Sequence, residues 1–168
     1  MQKPLFYVDK VKAWEIIILI FYVLLSVEAY FFLRLANNET QNHCLYFYAF
    51  FTQLFLYGGF YKAMRNLKVY ILFLIIGILH LFLYYLLKEN AALIGLDNTK
   101  VIPLRNTVIL LFLFQFLRYI SLRTQKQELV SIRRYGKRDI FNERETTRID
   151  SILYIIYITS TFLLLFVG

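Results

Sequence analysis

The stretch VYILFLIIGILHLFLYYLL, residues 69–87, contains no charged side chain and a single histidine, His80. An α-helix rises 1.5 Å per residue, so a hydrocarbon core about 30 Å thick takes roughly 20 residues to cross. The run has that length and shows no polar stripe at helical spacing, as the surface helix of a soluble domain would. It therefore reads as a transmembrane helix.

Three further blocks pass or nearly pass the same test, residues 14–33, 45–64 and 151–167. A fifth, 107–122, is interrupted by Arg118, whose long side chain could reach the interface from near a helix end. The expected fold is all-α. Residues 1–168 form a single multi-pass membrane domain, an integral helix bundle of five transmembrane helices. Four crossings are the alternative, with 107–122 re-entrant or the last block lying on the surface.

Composition agrees. Of 168 residues, 60% are hydrophobic and 19% aromatic, against nearly half apolar in soluble domains. Lys3, Lys10 and Lys12 precede the first apolar block, which is too long for a signal peptide and lacks a small-x-small cleavage site, so an uncleaved signal anchor is expected. A lone cysteine, Cys44, excludes an intrachain disulfide, and His43 beside it supplies only half of a zinc set. No metal site and no cofactor are expected.

Formal net charge is +8. Segments 1–13, 62–68 and 118–148 carry 15 of the 19 Lys and Arg residues, and the two intervening segments carry 4. Positive charge stays on the cytoplasmic side, which places the N-terminus inside and, with five crossings, the C-terminus outside. A cell's inner or plasma membrane is the expected location. Trp14, Tyr61, Tyr70 and Tyr119 would then lie near the inner face, and Tyr30, Tyr46, Tyr84 and Tyr85 near the outer one. Residues 38–40, NET, form a glycosylation sequon on the expected outer loop, meaningful only in a eukaryotic secretory membrane.

Residues 123–150 form the basic cytoplasmic segment. Leu122, Leu129, Val130 and Ile132 fall on one helical stripe, so the fourth helix is expected to continue to Tyr135 and stop at Gly136. Asn142 and Glu145 have capping-box spacing, which starts the last helix near Glu143. The result would be a short helical hairpin with Arg133, Arg134, Lys137 and Arg138 around its elbow. Such an elbow suits anionic lipid headgroups, at about 1 kcal/mol per basic residue. A cytosolic protein is the next reading. Nucleic acid stacking on Tyr135 is the least favoured.

The apolar blocks also hold polar residues. Glu28 stands in VLLSVEAYFFL, residues 23–33, where a charged carboxylate costs about 2.5–3.5 kcal/mol at mid-membrane. Gln53, His80, Gln115 and Ser160 mark the other spans, with Thr159 and Thr161 beside Ser160. These residues are expected to form an intramembrane polar network, with Glu28, Gln53, His80 and Ser160 facing one interior. In the functional reading Glu28 and His80 titrate together. In the plainer one the polar groups join helices by hydrogen bonds worth about 0.6–2 kcal/mol each. Glu15 suits the positive end of the first helix and could pair with Arg118. Gly58 and Gly59 suggest a packing notch or kink in the second span.

No P-loop, dinucleotide fingerprint, HExxH, nucleophile elbow or CxxC occurs, so no catalytic residue is named. The leading expectation is a small non-enzymatic membrane protein that assembles with itself or with partner proteins, forming or regulating a pore. In size, number of spans and basic inner face the chain resembles the small multi-pass accessory proteins encoded beside RNA-guided, CRISPR-type antiviral effectors of bacteria. That resemblance implies an alternative role in defence, perturbing the membrane or modulating a cytosolic effector. A second alternative is a proton-coupled carrier or membrane enzyme using Glu28 and His80.

Overall fold

The computed structural model describes residues 5–35, 38–88, 102–132, 138–141 and 144–166. It contains five α-helices, α1 Ala13–Leu35, α2 Asn38–Gly58, α3 Leu67–Leu87, α4 Ile102–Thr124 and α5 Arg148–Phe166. A 3-10 turn, Ala63–Arg65, lies between α2 and α3. No strand occurs among the described residues, so the fold is all-α. Among those residues α3, over Leu67–Leu86, and α4 are long and apolar enough to cross a membrane. Two helices, where the sequence suggested five, meet that test.

Helices α4 and α5 pack antiparallel. Asn106 near the start of α4 donates to the Leu164 carbonyl near the end of α5, at 2.8 Å. At the opposite end Gln125, just past α4, donates to Asp150 in the first turn of α5, also at 2.8 Å. Helix α4 is central, against α2, α3 and α5, and α1 packs on α2 and α3. Gly77 lets α3 lie close against α4. A Cβ there would lie 3.1 Å from Leu111 Cδ1 and 3.2 Å from Val108 Cγ2, and small residues allow such contact between membrane helices. Tyr57 and Tyr157 fill the centre, with rings 4.7 Å apart and no side-chain exposure.

Several boundaries differ from the sequence reading. The polar stretch expected as a loop at 34–43 is mostly helix, because α2 begins at Asn38. That helix ends at Gly58, so the glycine pair terminates α2 where a packing notch or kink within the second span was expected. The Gly59 and Phe60 amides both donate to the Phe55 carbonyl, at 2.9 and 3.0 Å. Pro103 lies in the first turn of α4, where a missing amide hydrogen is harmless. Tyr61 and Tyr70 are buried, so neither belongs to an interfacial belt, whereas Tyr30, Tyr85 and Tyr119 are exposed.

The expected cytoplasmic helical hairpin is not formed by the described residues. Helix α4 stops at Thr124, and Lys126 takes a left-handed backbone with φ 54°. The Ser121 hydroxyl donates to the Gln127 carbonyl at 2.9 Å, which fastens that reversal. Residues 128–131 then run without regular structure, buried, across one end of the bundle. Their carbonyls accept from Tyr57 Oη at Val130 (3.3 Å) and from Arg65 at Leu129 (3.1 Å). Leu129 and Val130 are apolar because they plug the bundle, which a helical stripe would also explain.

Helix α5 begins at Arg148, later than Glu143. A capping box at 147–150 starts it. The Asp150 amide donates to Thr147 Oγ1 at 3.2 Å, and the Thr147 amide donates to Asp150 Oδ2 at 2.8 Å. Arg133, Arg134, Tyr135, Gly136, Lys137, Asn142 and Glu143 lie outside the described residues, as do the side chains of His43 and Cys44. Arg138 is exposed beside the plug.

Candidate functional site

Two polar constructions stand out. The first closes the basic end of the bundle. Arg118 on α4 is fully buried and donates through Nε and Nη2 to Glu128, at 2.8 and 3.1 Å. It therefore does not snorkel, and its carboxylate partner is Glu128, not Glu15, which the sequence offered as one that could pair with it. The Tyr7 hydroxyl donates to the same carboxylate at 3.0 Å, and Arg65 Nε lies 3.7 Å from it. Glu15 caps its own helix instead, accepting from the Lys12 amide at 2.8 Å.

Burial pushes the Glu128 carboxyl up, but the hydrogen bonds and charge of Arg118, helped by Arg65 and Tyr7, outweigh it and hold the group below the usual range. Asp150 behaves alike. Burial raises it, while Arg144, the Thr147 amide and Gln125 together hold it low. Arg144 reaches the Asp150 carboxylate at 2.7 Å and also donates to the Glu128 backbone carbonyl, so one guanidinium ties the start of α5 to the backbone of the segment after α4. Asp139 completes the plug, accepting from Tyr61 Oη at 2.5 Å and from the Arg144 amide at 3.0 Å. Every carboxylate here is matched by donors, so this end acts as a structural clamp.

The second construction runs across the apolar middle. Ser26 on α1 lies 2.6 Å from Tyr48 Oη on α2. Tyr48 Oη lies 2.8 Å from His80 Nε2 on α3, and His80 Nδ1 lies 3.4 Å from Thr107 Oγ1 on α4. Four helices are thus joined by one chain of hydrogen-bonding groups.

The five residues expected to form one network are dispersed. No hydrogen bond joins any two of them among the described residues. His80 belongs to the four-helix chain. Gln53 is buried and donates to the Pro103 carbonyl at 2.5 Å, fixing α2 to the start of α4. Gln115 donates to the Met64 carbonyl at 3.0 Å, near the clamp. Ser160 is half-buried on α5, and Glu28 is exposed on α1.

Glu28 instead lines a groove of about 630 Å³ that opens sideways between α1 and α2. Phe21, Phe47, Phe51 and Phe55 form much of its wall, and Tyr48 and Thr52 its polar floor. Tyr48 therefore belongs both to the groove and to the chain reaching His80. Sequence reasoning passed over Ser26, Tyr48 and Thr107. Ser26 and Glu28 are two residues apart, roughly 200° around a helix, so one faces the interior while the other faces the groove. The charged member drew attention, and Tyr48 was one of 14 tyrosines.

No group of three or more His, Cys, Asp or Glu residues able to hold a metal occurs among the described residues. No family model, curated protein or solved structure matches the chain.

Proposed function

We propose that this chain is a five-span integral membrane protein, its basic end facing the cytoplasm, that works by binding or assembling within the bilayer and not as an enzyme. The observation that carries the reading is inverted polarity. The outward faces of the helices present large apolar side chains, among them Ile17 and Leu24 on α1, Phe82 on α3, Phe116 on α4 and Ile155 on α5. The interior meanwhile holds Gln53, His80, Asn106, Thr107, Gln115 and Arg118. Water would penalise that exposed apolar area, and hydrocarbon would accept it. Exposed Lys12, Lys68, Arg123, Lys126 and Arg148 gather at the clamp end, where anionic headgroups of the cytoplasmic leaflet would meet them. Any pore would have to form between copies, because aromatic rings fill the bundle's centre.

Membranes washed in alkaline carbonate test the reading, together with reporters at each terminus. Retention in the pellet, with the N-terminal reporter inside and the C-terminal one outside, is expected. Release into the supernatant would overturn the membrane assignment, and both reporters on one side would overturn five spans.

A second reading, a proton-coupled carrier, is favoured by one observation: Tyr48 links the groove that holds Glu28 to His80. Solute uptake by proteoliposomes under an imposed pH gradient, lost in Tyr48→Phe, would support it. Equal uptake by the variant would remove it.

A further inference from the structure

We propose that the groove between α1 and α2 binds a lipophilic cation from within the bilayer, Glu28 meeting the positive charge and the aromatic walls the apolar body. The proposal rests on the membrane reading above and adds the ligand class. The groove has the size of a small-molecule site, which commonly spans about 300–1,000 Å³. Among the described residues, seven of the ten that line it are aromatic. The rings of Phe21, Phe47, Phe51 and Phe55 are each more than half exposed and so are open to a ligand.

Aromatic faces carry negative charge density and attract cations more strongly once water is excluded. Among the described residues, Glu28 is the only carboxylate in the lining, and Lys, Arg and His are absent from it. The site thus offers one negative charge, a π-rich wall and two hydroxyl-bearing floor residues, Tyr48 and Thr52. An anion would meet repulsion from Glu28. A neutral apolar molecule would gain nothing there over ordinary lipid, because the tails already supply apolar contact. A hydrophobic cation gains from both features. Since the groove opens sideways between two helices, such a ligand could enter from lipid without crossing the clamp.

The test uses the full chain in phosphatidylcholine nanodiscs and titrates tetraphenylphosphonium, with tetraphenylborate as an anion of the same shape. Saturable binding of the cation is expected, with no saturable binding of the borate. Glu28→Gln should weaken binding at least tenfold, Glu28→Asp should retain it within a few fold, and Phe51→Ala should weaken it severalfold. Ile155→Ala, on the outer face of α5, should leave it unchanged. Should Glu28→Gln fail to enter discs, the cation–borate comparison on the unaltered chain and the Phe51→Ala titration still decide.

Absence of saturable cation binding, equal binding by folded Glu28→Gln, or equal binding of the borate would overturn the proposal while leaving the membrane reading intact. A dimer cross-linked through Phe51→Cys in a Cys44→Ser background, with no cation bound, would give the groove to a second copy and overturn it too. Failure of the unaltered chain to enter discs would overturn both readings.

Discussion

Arg118 and Glu128 form a two-point ion pair, 2.8 and 3.1 Å long, with side-chain exposures of 0% and 9%. The pair joins the last turns of α4 to the buried segment that covers the bundle. Two charges taken from water require this quality of geometry, because desolvation of each costs several kcal/mol. Tyr7 and Arg65 occupy the same carboxylate, so α4, the segment before α1 and the turn before α3 meet at one side chain.

Removing either partner should leave an uncompensated charge. Arg118→Met or Glu128→Gln is expected to cost about 3–5 kcal/mol, read as a lowered unfolding midpoint in detergent. The Arg118→Met/Glu128→Gln double variant should lose less than the two single losses combined, by roughly 0.5–3 kcal/mol. Strict additivity would show that the pair is not coupled.

Acid should release the clamp. Glu128 and Asp150 are both held below the ordinary carboxylate value. Their contribution is therefore present above the unfolded value of about 4 and is lost as pH falls through the folded values. Thermal unfolding followed from pH 7 down to pH 3 should show stability falling steeply below about pH 4. Glu128→Gln should start lower at pH 7 and show a shallower acid limb. A limb identical to that of the unaltered chain would assign acid sensitivity elsewhere.

The capping box on α5 gives a smaller effect. Thr147→Ala removes the acceptor for the Asp150 amide and should cost about 0.5–2 kcal/mol. Asp150→Asn should cost more, because Arg144 loses its carboxylate as well. Equal losses in the two variants would mean that the Arg144 contact adds nothing.

Helix packing is tested at two glycines. Gly77→Val should force α3 from α4, since even a Cβ would meet Leu111 and Val108 at 3.1 and 3.2 Å. A loss of about 1–3 kcal/mol is expected from overpacking. Gly58→Ala meets nothing within 4 Å and should leave stability nearly unchanged. A reversed order would contradict the helix pairing.

The fold class was readable because apolar length is a local property: residues 69–87 declare a helix by themselves. Helix existence followed for all five blocks. The connectors were harder. Residues 122–132 carry apolar side chains at helical spacing, but one left-handed residue, Lys126, and a pairing ten positions apart between Arg118 and Glu128 override that local preference. Thr147 and Asp150 had the capping spacing in plain sight, and Asn142 with Glu145 competed for the same role.

The site was least readable where it depends on tertiary contact. Glu28 and His80 were picked out as rare polar residues in apolar runs. Their separation into groove wall and buried chain depends on helix rotation, which a sequence alone does not set. Tyr48, the residue that joins the two, had no distinguishing sequence signal.

The central claim is that the outward apolar faces of these helices meet hydrocarbon. Tryptophan fluorescence quenched by lipids brominated along their acyl chains measures this directly. Trp14 is the only native tryptophan, so Trp14→Phe supplies a silent background. Phe82→Trp, on the outer face of α3, should be strongly quenched by brominated lipid and barely by aqueous acrylamide, while Phe73→Trp, on its buried face, should be quenched weakly by both. Strong acrylamide quenching at position 82 with no response to brominated lipid would contradict it.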